Sequence, residues 1–110
     1  MANSREQAEP MVADDLVIHK PIRREMGGGR WVEGSLKGHQ FAALVFPDHA
    51  ADPGYELGDS RISKLWVQRL SDQKTVFNWD RGFDVAAENE TVEAIVDFLA
   101  AGIADHAYEV

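Results

Sequence analysis

The densest chemistry in the chain lies in seven consecutive residues, Asn78-Trp79-Asp80-Arg81-Gly82-Phe83-Asp84. Two carboxylates, Asp80 and Asp84, flank the guanidinium of Arg81, and Arg61 and Lys64 open the strand-like run before it. Such a knot at a strand end could hold a divalent ion or a phosphate, because carboxylates take hard cations and arginine grips phosphate with two parallel hydrogen bonds. Arg61, Lys64, Asp80, Arg81 and Asp84 are therefore the candidate ligand or partner contacts. The same groups can equally neutralise one another. Asp80 can accept backbone N–H bonds in a turn, Gly82 can take positive φ, and Arg81 can pair with Asp84. Arg61 and Lys64 can link to Asp59, Asp80 or Asp84, for at most ~1 kcal/mol each if exposed.

Other chemistry is thin. The histidines are His19, His39, His49 and His106, and none stands four residues from another or in an HExxH pattern. Asp48-His49 with Asp52 comes nearest to a metal-ligating set, and no metal centre or cofactor is expected. A Ser/His/Asp triad lacks a nucleophile elbow to support it. Gly27-Gly28-Gly29 lacks the Lys-Ser/Thr that would make a phosphate loop. Trp31, Trp66 and Trp79 with Phe77 and Phe83 could form a platform that stacks bases, or could simply pack a core.

The elements that must position these residues read as follows. Residues 1–29 are expected to be a flexible tail ending in the triple glycine, with Leu16-Val17-Ile18 β-prone and limited by Pro21 to an edge. Residues 30–110 form the domain. Residues 30–37 alternate as a strand, with Val32, Gly34 and Leu36 on one face and Trp31, Glu33 and Ser35 on the other. Lys37-Gly38-His39 makes a turn, and residues 40–46, apolar on both sides, suit a central strand. Residues 47–60 form a long loop rich in Pro, Gly and acid, either functional or mobile. Residues 61–70 and 74–80 form a second hairpin, with Ile62 and Lys64 opposite Leu65 and Val67. Residues 85–89 connect to a helix over about 90–108. Its apolar stripe is Val92, Ile95, Val96, Leu99 and Ile103, with Asn89 as N-cap and Gly102 marking close packing or an early end. The fold class is α+β: an antiparallel four-stranded sheet of two hairpins with one long C-terminal helix on one face.

Composition bounds the function. A chain of 110 residues, 45% hydrophobic and with no cysteine, fits one globular domain without disulfides or thiolate metal sites. No apolar run approaches the ~20 residues that span a bilayer, and no signal peptide is visible, so a soluble cytoplasmic protein is expected. The net charge of −8 is lopsided. Residues 83–110 hold seven acidic groups and no Lys or Arg. That end repels phosphate backbones and attracts basic partners. Glu90, Glu93, Asp97 and Asp105 form the candidate acidic partner surface, and direct nucleic-acid binding is not expected.

Several of these residues also form a pattern. Trp31…Gly34, Phe41-x-Ala43-x-Val45, Tyr55 and Gly58, Arg61-Ile62-Ser63-Lys64-Leu65-Trp66 and the Asn78–Asp84 knot resemble a family of small uncharacterised proteins of bacteria and their phages, over about residues 30–105. The resemblance implies a strand-rich fold and no mechanism. Residues and resemblance together suggest a non-enzymatic protein-binding or regulatory module that recognises another protein through the open sheet face or the acidic helix, in its sharper form an acidic mimic of nucleic acid. A homodimer pairing through the uncovered sheet face or edge is a further reading. The alternative is a small ligand binder or enzyme acting at Asp80, Arg81 and Asp84.

Overall fold

The computed structural model describes residues 16–24, 27–80 and 82–109. The four expected strands lie within a residue of their expected bounds: β3 Arg30–Leu36, β4 His39–Val45, β5 Ile62–Arg69 and β6 Lys74–Asp80. They pair antiparallel in sequence order. Lys37 and Gly38, both at positive φ (52° and 73°), form the tight turn between β3 and β4. That turn's twist matches the strands it joins.

The sheet has seven strands rather than four. Two short strands, β1 Val17–Ile18 and β2 Ile22–Arg23, share the outer edge of β3. Pro21 falls between them, where it removes a backbone donor from the ladder. At the opposite edge β7, Phe83–Val85, pairs with β6. β1 lies in the expected β-prone edge segment Leu16-Val17-Ile18. Strands of two or three residues have no periodicity to read, which is why β2 and β7 are not legible as alternation. Gly34 admits β1: a Cβ there would sit 2.1 Å from the Val17 carbonyl oxygen and 2.9 Å from the Phe41 ring.

Two bulges change which side chains reach the core. Leu44 pairs with Lys64 and Val45 with Ile62, leaving Ser63 as an extra residue in β5. This turns Ile62 inward beside Leu65 and Val67, correcting the face expected from strict alternation. In β6 the extra residue is Val76, and both Val76 and Phe77 are buried. The core lies between this face and the helix α1, Glu90–Glu109. Val92, Ile95, Val96, Leu99 and Ile103 are buried as the stripe requires, with Ala104 and Ala107 continuing it. Asn89 Oδ1 accepts from the Val92 N–H at 3.0 Å, the expected N-cap. Gly102 is exposed with open space around it, and the helix continues past it, so it marks neither close packing nor an end. The far end of α1 is tied to the sheet by Arg30, whose Nη1 donates to the Ala107 carbonyl at 2.6 Å while its guanidinium lies 4.5 Å over the Tyr108 ring. Tyr108 in turn donates to the Val45 carbonyl at 3.2 Å. No described helix is long and apolar enough to cross a membrane.

Candidate functional site

The expected constellation around residues 80–84 does not assemble with Arg61. Asp80 ends β6, and its N–H donates to the Gly82 carbonyl at 2.9 Å, with Gly82 at φ +146°. This is the self-closing turn that a Gly at that position favours. Lys64 Nζ stands 3.8 Å from Asp80 Oδ2, both about half exposed. Asp84 accepts a long bond, 3.4 Å, from Asn78 Nδ2. Arg81 lies outside the described residues.

Arg61 instead joins three other elements. It enters β5 in the left-handed region, φ +65°, next to the Ser63 bulge. Its Nη1 donates to the Pro47 carbonyl at 2.9 Å and its Nη2 to Asp105 Oδ1 on α1. The expected partners Asp59, Asp80 and Asp84 are replaced by the helix carboxylate. A non-glycine residue in this backbone region costs of order 1–3 kcal/mol, held only where surrounding contacts over-determine it.

The long loop between β4 and β5 is built around a buried carboxylate. Asp52 Oδ1 accepts from the Gly54 N–H at 2.9 Å and caps the 3-10 turn Pro53–Tyr55. This reversal delivers Glu56, 6% exposed, under the start of the loop. Glu56 Oε1 accepts from the Ala50 N–H and Oε2 from His49 Nδ1, both at 2.7 Å. Ser60 Oγ donates to the Leu57 carbonyl at 2.6 Å and accepts from the Ile62 N–H at 3.1 Å, closing the loop. Burial alone would raise the Glu56 pKa. The Ala50 N–H, the His49 ring and the Arg61 backbone outweigh it and hold the carboxyl below its ordinary value. The hydrogen bond to Glu56 raises the His49 pKa in return.

Asp59 Oδ1 lies 3.5 Å from the same His49 Nδ1. Donor atoms of His49, Glu56 and Asp59 all fall within 4.8 Å of one another. Two clefts flank this cluster. The larger, about 640 Å³, is lined by Arg24, Leu44, Tyr55, Glu56 and Lys64 among others. The smaller, about 320 Å³, is lined by Asp59, Gly102 and Asp105. His49 and Arg61 line both. Of Asp48, His49 and Asp52, only His49 belongs to this cluster, and Asp52 caps the turn. The signal for Glu56 was the Asp-Pro-Gly reversal, which folds the loop back on itself.

On α1, Glu90, Glu93 and Asp97 are exposed and pair with no cation among the described residues, whereas Asp105 is engaged by Arg61. On the helix-free face of the sheet, Trp31 and Trp66 are half-buried, and Trp66 Nε1 donates to Thr75 Oγ1 at 3.1 Å. Phe77 and Trp79 face the helix, so the sheet itself divides the aromatic residues and no single platform forms. By register, Val17 pairs with Ser35, Ile22 with Trp31 and Val85 with Asn78, which puts all three on the helix-free face. They are 52%, 56% and 37% exposed.

The chain belongs to the family described as a domain of unknown function (DUF7678), whose profile matches residues 30–104. No curated protein and no solved structure matches it.

Proposed function

We propose that this member of a family without an assigned activity is a non-enzymatic binding module, of the small bacterial and phage type, that docks another cytoplasmic protein on the helix-free face of its sheet. One observation carries the reading. Val17, Ile22 and Val85 are exposed from edge to edge of that face, with Trp31 and Trp66 half-buried between them. Tryptophan is among the usual anchors of protein interfaces, and on this face the apolar side chains are interspersed with the polar Glu33, Lys64 and Asp80. Isolated exposed apolar residues mean little, but Ile22 and Trp31 are cross-strand partners and so stand side by side on this face.

The test is affinity capture from the native host with wild type, with Ile22→Asp, and with Glu90→Lys/Glu93→Lys/Asp97→Lys. Recovery of one partner by wild type and by the helix variant, and its loss with Ile22→Asp, supports the sheet face. Ile22 is exposed, so the substitution leaves the core intact. Retention by Ile22→Asp together with loss in the helix variant would instead favour a second reading, an acidic mimic of nucleic acid. That reading rests on Glu90, Glu93 and Asp97 standing exposed along one helix. A particle of twice the chain mass in solution that Ile22→Asp converts to monomer would make the partner a second copy of this chain.

A further inference from the structure

We propose that His49, Glu56 and Asp59 form a binding site for a divalent cation of the zinc class, a role separate from docking at the sheet face. The donor set is one imidazole nitrogen, Nδ1, and two carboxylate oxygens, Glu56 Oε2 and Asp59 Oδ1. In the cation-free arrangement a single ring nitrogen faces both carboxylates, at 2.7 and 3.5 Å. A tetrahedral zinc with bonds of about 2.0–2.2 Å separates its ligand atoms by roughly 3.3–3.5 Å. His49 and Asp59 already stand at that spacing. The His49–Glu56 contact, 2.7 Å and now bridged by a proton, would open by roughly 0.6–0.8 Å when a larger cation replaces that proton.

The three ligands differ in how they are held, and this suits capture. Glu56 is almost fully buried, and its second oxygen is occupied by the Ala50 N–H, so one carboxylate is fixed in place. Hydrogen bonding of the non-coordinating oxygen orients a ligand in this way at many metal sites. Asp59 is 97% exposed on its side chain and can close over the ion without disturbing the core. Glu56 lines the larger cleft, Asp59 the smaller, and His49 both, so the cluster lies on the ridge between them. A fourth coordination position therefore remains open to solvent, as in sites where zinc keeps a water. The imidazole and the low ligand number favour a transition ion over Mg²⁺ or Ca²⁺, which require six or more oxygens. The nearby Arg61 charge is offset by Asp105, to which its guanidinium is bound.

Zinc binding to the full chain is measured by competition with a chromophoric chelator and by thermal shift, with Mg²⁺ as the control. One zinc ion per chain and a higher melting temperature are expected for wild type, because a ligand that binds only the folded state stabilises it. Asp59→Asn should weaken binding by at least about tenfold, the loss typical of even outer-shell partners. His49→Gln should remove it. Absence of zinc binding by wild type, or binding by Asp59→Asn and His49→Gln equal to wild type, would overturn the proposal and leave the three residues as an ion-paired latch of the loop. A shift as large with Mg²⁺ would overturn the zinc-class assignment. Should His49→Gln fail to fold, Asp59→Asn decides, since the Asp59 side chain is 97% exposed and outside the core.

Discussion

Single atoms decide two features of this molecule. At Gly34 the backbone of β1 comes so close that a methyl group would fall 2.1 Å from the Val17 carbonyl oxygen. Backbone cannot yield as a flexible side-chain tip can, so Gly34→Ala must displace β1 and also press on the Phe41 ring that lies 2.9 Å away. Overpacking of this kind typically costs ~1–3 kcal/mol. The expected result is a lower melting temperature together with faster hydrogen exchange at the His19 amide, which donates to the Glu33 carbonyl just beyond β1. Unchanged exchange at His19 with unchanged stability would show that β1 does not pair there. Arg61 is the second case. Its left-handed backbone places the guanidinium where Pro47 and Asp105 converge. Nothing local to Arg61-Ile62-Ser63 announces that geometry, because it depends on a helix carboxylate 44 residues further on.

Among the elements, the β5–β6 hairpin is clamped to the linker before α1 by one carboxylate. Glu88 accepts from Arg69 Nη1 at 2.6 Å and pairs with Lys74 Nζ at 2.8 Å, while Arg69 also holds Asp72 at 2.8 Å. Lys74 and Arg69 hold the Glu88 carboxyl below its ordinary value, and Arg69 does the same to Asp72. The sign follows from linkage: a carboxyl whose pKa is depressed on folding stabilises the fold fully above its unfolded value, 4.5 for Glu88. That contribution is lost as the pH falls through the lower folded value. Urea unfolding of wild type and Glu88→Gln should therefore differ at neutral pH and converge well below 4.5. The difference should also shrink at high salt, because the groups are solvent-accessible. A gap constant across that pH range would show that Glu88 acts through packing and not charge. The hairpin itself was legible, since Ser71-Asp72-Gln73 separates two strand-like runs. Its bulges were not. An extra residue at Ser63 or Val76 reverses the alternation, and only pairing with the neighbouring strand reveals it.

Across the whole molecule, the architecture of a helix on one sheet face was legible because its signals are periodic and long. Val92 to Ile103 repeat at helical spacing, and β3 alternates without interruption. The candidate site was hardly legible, because Glu56 is one acid among many in a polar loop and its burial is a tertiary event. Charge is the one global property that the sequence carries without folding, and it bears on the acidic helix. Glu93 and Asp97 stand four residues apart on α1, both exposed. Like charges at that spacing destabilise a helix by about 0.2–0.5 kcal/mol, whereas a glutamate followed four residues later by a lysine stabilises it by a similar amount. Asp97 lies beyond the first turn of a helix starting at Glu90, so the helix dipole gives little reason for an acid there. Asp97→Lys should therefore raise stability by roughly 0.5–1 kcal/mol, or about 2–6 °C in melting temperature. A residue that lowers stability where an obvious replacement would raise it is the pattern expected of a surface kept for recognition. Calorimetry of the variant measures the gain, and the capture experiment on the same variant decides between retention of the partner, as docking at the sheet face requires, and its loss. A stabler protein that loses a basic partner would assign Asp97 to binding. A variant no more stable than wild type would remove the stability conflict and with it the reason to single out this acid.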